Sequence, residues 1–254
     1  MNFIPTYLKK MQKIKQFNKY YFCFFTRNGG CSNNEFSTLN CAYNSGDLDK
    51  NVEENRKIAS NYFMQNKIII PNQNHSNKVL EVNNKNDLSL NADAIITERD
   101  DILLGILTAD CAPIIILGEN KFGIIHAGWK GLLNGIIENT INKLISCGEK
   151  IEKLNVFVGP HLKEKSFEVK KDFIEILKKK VDHERFIKNV NERFYFDFSK
   201  LIEEKLKKHN IVNLNISSEN TFTNPKKFFS HRFSCVNKIK KCGRQISLVG
   251  IKIK

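Results

Sequence analysis

The chain has 254 residues, of which 41% are hydrophobic, 10% aromatic and 27% charged. This composition excludes collagen-like, fibrous and disordered classes, and the length suffices to bury a core without staples. Lys and Arg number 41 against 27 Asp and Glu, giving +14; the excess is scattered with Asn and Ile and forms no patch, so no nucleic-acid partner is expected.

In chain order, Met1–Tyr20 is basic and free of acids, a faint likeness to a transit segment, but it lacks the continuous apolar core of a signal peptide. Tyr21–Thr26 is an aromatic run that predicts a buried strand, broken by the turn chemistry of Arg27-Asn28-Gly29-Gly30. Asp49–Gln65 predicts a helix with acids near its start. Lys67–Ile70, Asn77–Val82 and Ala94–Thr97 predict strands. Ile102–Leu107, Ile114–Leu117 and Phe122–Ile125 follow as apolar runs of strands buried on both faces. Trp129–Cys147 carries apolar residues at helical spacing, and Leu154–Val158 is a strand stopped by Gly159-Pro160. Lys170–Val181 and Ser199–Lys208 predict amphipathic helices. Ile211–Ile216 and Gln245–Ile253 predict late strands, the last with one slip in its alternation. Helices and strands alternate imperfectly, which implies an α/β or α+β layered fold with a mixed sheet. No hinge-like cluster of Pro or Gly divides the chain, so one domain over 1–254 is expected, with a basic segment at about 1–20.

Seven cysteines, at 23, 31, 41, 111, 147, 235 and 242, include no C-x-x-C pair. An odd number without such pairs indicates neither a disulfide framework nor a zinc knuckle, and reduced thiols in a cytoplasmic setting are expected. No apolar run nears the roughly 18 residues of a membrane span, so no membrane partner is expected. Monomer and homodimer are both compatible with the sequence.

Three strand ends each present a soft or borderline metal ligand: His75 after Lys67–Ile70, Cys111 between two apolar strands, and His126 at the end of Phe122–Ile125. Two imidazoles and a thiolate suit zinc, and three protein ligands keep the fourth tetrahedral position open, as in catalytic sites. The spacing matches no short zinc motif, so a buried free thiol and two hydrogen-bonded histidines fit the same pattern. A second chemistry competes for Cys111: nucleophilic attack with His126 or His75 as base. Asp110 is a candidate acid or base beside the metal, or a hydrogen-bonded turn residue. The turn His126-Ala-Gly-Trp-Lys-Gly131 runs from strand to helix, where phosphate is favoured, and Lys130 adds charge. Arg27 and Arg232 are further phosphate candidates, since a planar guanidinium grips phosphate bidentately.

The stretch Ala92–Gly131, with TADCAP and HAGWKG, resembles the YfiH-like family, also called the laccase-domain, multicopper polyphenol oxidase or peptidoglycan editing factor family. TRNGG at 26–30, STLNCAYNSGD at 37–47, VEENR at 52–56, QNHSNKV at 73–79, VGP at 158–160, FEV at 167–169, FFSHRF at 228–233 and GRQIS at 243–247 extend the likeness over nearly the whole chain. The resemblance implies an α/β sandwich with mixed sheets and helices outside. It implies Zn2+ held by His75, Cys111 and His126, with copper as the secondary choice. It also implies phosphorolysis of adenosine, inosine, guanosine and S-methyl-5'-thioadenosine, and hydrolytic deamination of adenosine, with purine nucleosides and phosphate as partners. Older family labels suggest polyphenol oxidation instead. His161, Ser166 and Phe233 depart from the family pattern.

Overall fold

The apolar runs at the centre of the chain become the middle of a four-layer sandwich. The computed structural model describes residues 12–65, 67–83 and 91–252. A six-stranded mixed sheet runs β13 (Asn213–Ile216), β9 (Asn155–Val158), β7 (Ala112–Leu117), β8 (Phe122–Ala127), β5 (Ala94–Thr97), β4 (Val79–Glu81). A five-stranded mixed sheet runs β1 (Lys15–Phe17), β2 (Tyr20–Phe24), β14 (Gln245–Ile251), β6 (Leu103–Thr108), β3 (Ile68–Ile69).

Alternation along each strand explains why both sheets are apolar on both faces. On β7, Ile115 and Leu117 meet Phe22, Leu104 and Ile106 of the other sheet. Their neighbours Ile114 and Ile116 face the outer helices, among Leu132, Ile137 and Ile141. Each such isoleucine taken fully out of water stabilises the fold by roughly 1.5–3 kcal/mol. The expected slip in the last strand is a second buried face: Ile246 and Leu248 pack outward, and Val249 packs between the sheets.

Helix α1 (Asp49–Asn61) covers the outer face of the five-stranded sheet through Ala59 and its neighbours. It stops four residues before the expected end. On the other side lie α2 (Trp129–Leu133), α3 (Ile136–Ser146) and α5 (Phe198–Lys208), with α4 (Lys171–Lys178) nearby. The single helix expected over Trp129–Cys147 is thus two, broken at Gly135, whose φ of +93° suits glycine alone without strain.

A small sheet of β10 (Glu168–Val169), β12 (Arg193–Phe196) and β11 (Ile187–Val190) was not expected. Its hairpin turns through Asn191 and Glu192, both at positive φ, and glutamate in that position gives no sequence signal of a tight turn. Helix α6 (His231–Val236) was also unforeseen; the Ser230 hydroxyl caps it by accepting from the Phe233 N–H. Residues 1–11 of the basic segment and Ile253 of the last expected strand lie outside the described residues. From Gln12 onward the segment is anchored, because the Gln12 side chain pairs with the Thr26 N–H and hydroxyl. Among the described residues no helix is long and apolar enough to cross a membrane.

Candidate metal centre

The three expected ligands meet at one end of the sandwich. His75 and Cys111 sit on the two connections β3–β4 and β6–β7, each of which passes from one sheet to the other. His126 is the penultimate residue of β8. One ligand atom from each of the three lies within 4.8 Å of the others. The Cys111 Sγ stands 3.8 Å from the His75 Nε2, and the two imidazole rings cross at 71° with centroids 4.8 Å apart. Zinc–sulfur and zinc–nitrogen bonds of 2.3 and 2.0–2.1 Å at a tetrahedral angle place such atoms about 3.5 Å apart, so the donor set fits a single ion. Among the described residues this is the one such group of three or more His, Cys, Asp or Glu side chains.

Asp93, which the sequence reading did not single out, organises the site. Fully buried at the start of β5, it accepts from the backbone N–H groups of Asn74 (3.2 Å), His75 (2.9 Å) and Ser76 (2.7 Å) and from the Ser76 hydroxyl (2.7 Å). It also takes the Nδ1–H of His126 at 2.7 Å, which turns Nε2 toward the trio. A carboxylate that fixes the tautomer of a ligating histidine is the usual outer partner of a metal site. The same loop is tied to β6 by Gln73, whose side chain donates to the Leu107 carbonyl and accepts its N–H, both at 2.8 Å.

Charge follows from this arrangement. Burial pushes the Cys111 thiol up, but His126 and then His75 pull it down further, and it settles well below its ordinary value. Burial lowers His126, yet the Cys111 thiolate and the Asp93 carboxylate raise it on balance. Burial raises Asp93, and hydrogen bonds from His126 and Ser76 more than offset this, holding it below the usual carboxylate range. The shifts of Cys111 and His126 both favour the thiolate, the form in which a cysteine binds a metal.

The glycines of the His126–Gly131 turn make room for the loop of His75. A Cβ on Gly128 would lie 2.4 Å from the His75 Cδ2 and 3.4 Å from the Cys111 Sγ, and one on Gly131 would lie 2.7 Å from the Ser76 carbonyl. Gly128→Ala is expected to displace the His75 ring and weaken metal binding by about tenfold or more while the circular dichroism spectrum is kept. Wild-type metal affinity in that variant, measured by chelator competition, would show that this contact does not position His75.

The other expected site residues are placed differently. Asp110, at φ +88°, accepts from the Thr221 hydroxyl and the Arg232 N–H, both at 2.6 Å, so both its oxygens anchor the loop of Cys111. Arg27 donates to the carbonyls of Ser37, Glu35 and Pro225 and stacks on Phe229, a staple for its own loop. Lys130 is exposed over the Trp129 ring. Arg27 and Lys130 line neither cavity at the trio, whereas Arg232 does.

Two cavities open on the trio. One, of ≈ 760 Å³, is lined by Arg56, Arg244, Gln73 and Asn44; the other, of ≈ 230 Å³, by Trp129, Phe167, Phe198 and Arg232. Arg56 and Arg244 were not foreseen as site residues. Arg56 is held by the Cys41 carbonyl at 2.9 Å and stacks on Tyr43.

A layered α/β sandwich with two histidines and a cysteine gathered at one end defines a mixed-sheet protein with a candidate metal site. The chain belongs to the multi-copper polyphenol oxidoreductase laccase family, whose family model matches residues 21–252. A purine nucleoside phosphorylase of Rickettsia prowazekii is 31% identical over 219 residues, which cover 84% of this chain and 89% of that protein. One of Rickettsia conorii is 34% identical over 188 residues, 72% of this chain and 78% of that protein. The crystal structure of a Neisseria meningitidis protein superposes with a TM-score of 0.85 at 23% identity, covering 96% of this chain and all (100%) of that one. That last likeness concerns the fold alone.

Proposed function

We propose that this protein is a zinc-dependent purine nucleoside phosphorylase that also deaminates adenosine. The observation that carries the reading is the convergence of His75, Cys111 and His126, backed by Asp93, at the meeting point of two cavities that offer arginines and aromatic rings. The names of the Rickettsia relatives supply the substrate class. Zinc held by the trio would contribute Lewis acidity. The chain's own groups do the rest: the guanidinium groups of Arg56 and Arg244 attract the phosphate anion, and the aromatic walls exclude water from the base. One cluster of three donors suits one ion, whereas multicopper oxidation requires further copper ligand sets. All seven cysteines are free, which suits a reducing compartment such as the cytoplasm.

The test is to incubate the purified, zinc-loaded chain with adenosine, with and without phosphate, and to separate the products. Adenine with ribose 1-phosphate is expected only when phosphate is present, and inosine in both cases. If neither appears from a protein that carries one zinc per chain, the substrate assignment fails. The lowered thiol of Cys111 beside His126 also suits a metal-free cysteine hydrolase. That reading requires activity that survives exhaustive chelation and is lost on alkylation of Cys111.

A further inference from the structure

The two cavities share His75, Ala109, Cys111 and His231, and otherwise they differ in chemistry. The larger has Arg56 and Arg244 on its walls, and no Asp or Glu lines it among the described residues. The smaller is walled by Trp129, Phe167, Phe198 and Leu162, and its one carboxylate, Asp110, is already paired through both oxygens. We propose that the smaller pocket is the nucleobase subsite and the larger cleft the phosphate subsite, with the ribose carried between them across the trio. The inference rests on the phosphorylase reading and gives it a direction.

Three arguments support the division. A purine is flat and apolar on its faces, and aromatic walls hold it by stacking. Phe167 is held in place: the rings of Phe196 and Phe198 meet it edge-on, with centroids 5.2 and 5.6 Å away, and the Arg232 guanidinium lies over its ring 5.6 Å from the centroid. At the rim of this pocket, the Arg232 Nη1 donates to the Glu168 carbonyl at 3.0 Å and approaches the Ser166 carbonyl at 3.4 Å. No acceptor among the described residues engages its Nε or Nη2, so donors remain for the acceptor atoms on a base edge. Second, a phosphate dianion gains most where cations stand without competing carboxylates, which is the condition of the larger cleft.

The third argument is the reaction. In phosphorolysis the bond from the ribose anomeric carbon to the base nitrogen breaks, and its electron pair leaves with the base, which takes up, through water, the proton that the attacking hydrogen phosphate gives up. A phosphate oxygen forms the new bond to the same carbon from the opposite face. Nucleophile and leaving group therefore need separate spaces on the two sides of one carbon. Two chambers meeting at the trio supply them.

Trp129 is the single tryptophan of the chain and lines the smaller pocket. This allows binding to be read without turnover. Zinc-loaded full-length protein, excited on the red edge of the tryptophan band, is titrated with inosine in phosphate-free buffer and separately with inorganic phosphate. Saturable quenching by inosine and none by phosphate is expected. Phe167→Ala should raise the inosine Kd by about tenfold or more and spare the KM for phosphate. Arg244→Gln, at an exposed position, should do the reverse. Quenching by phosphate alone, or an Arg244→Gln that weakens inosine and spares phosphate, overturns the division. Turnover without any inosine quenching sinks the base subsite while the phosphorylase reading stands. Quenching by inosine without any products supports the subsite and removes the phosphorylase reading. If Phe167→Ala does not fold, the Arg244→Gln and titration results decide.

Discussion

Cys111→Ala is expected to lose the metal and the activity together. Cys111 supplies the only sulfur of the trio, from a loop fixed by Asp110 through Thr221 and the Arg232 N–H. Without it two imidazoles remain, and two neutral ligands hold a divalent ion far less well than a set containing a thiolate. The loss should exceed the 10–100-fold typical of removing an outer partner. The thiol is partly exposed at a strand end and does not belong to the buried apolar clusters, so the fold should survive. Elemental analysis should fall from about one zinc per chain to near zero, with phosphorolysis lost in proportion. A variant that retains stoichiometric zinc removes Cys111 from the ligand set. One that loses zinc yet keeps activity removes the metal from the mechanism.

Asp93→Asn should damage metal affinity and stability at once. The carboxylate accepts from four groups of the 74–76 loop and from His126, and it is fully buried. An amide of the same size turns one acceptor into a donor facing other donors and removes the charge that steadies the imidazole. A buried donor left without an acceptor costs about 1–3 kcal/mol, and breaking a buried charged pair about 3–5 kcal/mol. The expected outcome is a metal Kd raised by about 10–100-fold, together with a loss of roughly 3–5 kcal/mol in urea unfolding performed in chelator. Chelator competition checks the first. If affinity falls and apo stability is unchanged, Asp93 serves the metal alone; if neither moves, it organises nothing.

The clustering of His75, Cys111 and His126 was legible because each stands where an apolar run ends, and strand ends are where a rigid sheet offers side chains to a site. Asp93 was not. One acid opening the strand Ala94–Thr97 resembles any polar strand boundary, and its five donors come from a loop 17–19 residues earlier and a strand 33 residues later. The partners of Arg27 were hidden for the same reason. Beside two glycines it fits a phosphate loop, but one of its acceptors, the Pro225 carbonyl, lies 198 residues away. The central strands were read closely because burial on both faces leaves an unmistakable apolar run. The small sheet was missed because Ile187–Val190 is largely exposed with mixed polarity, and its partner Arg193–Phe196 is an aromatic run of only 4 residues.

Two of the three metal-facing residues ride on segments that cross between the layers, while the third belongs to one layer alone. An ion gripped by them would act as a clasp at one end of the sandwich, fastening the β3–β4 and β6–β7 crossovers to the rim of β8. Parting the layers there would then require dissociation first. Heat tolerance should consequently climb with the logarithm of free zinc once the clasp is saturated, and proteolytic nicking near residues 72–76 and 109–111 should be the earliest sign of its release.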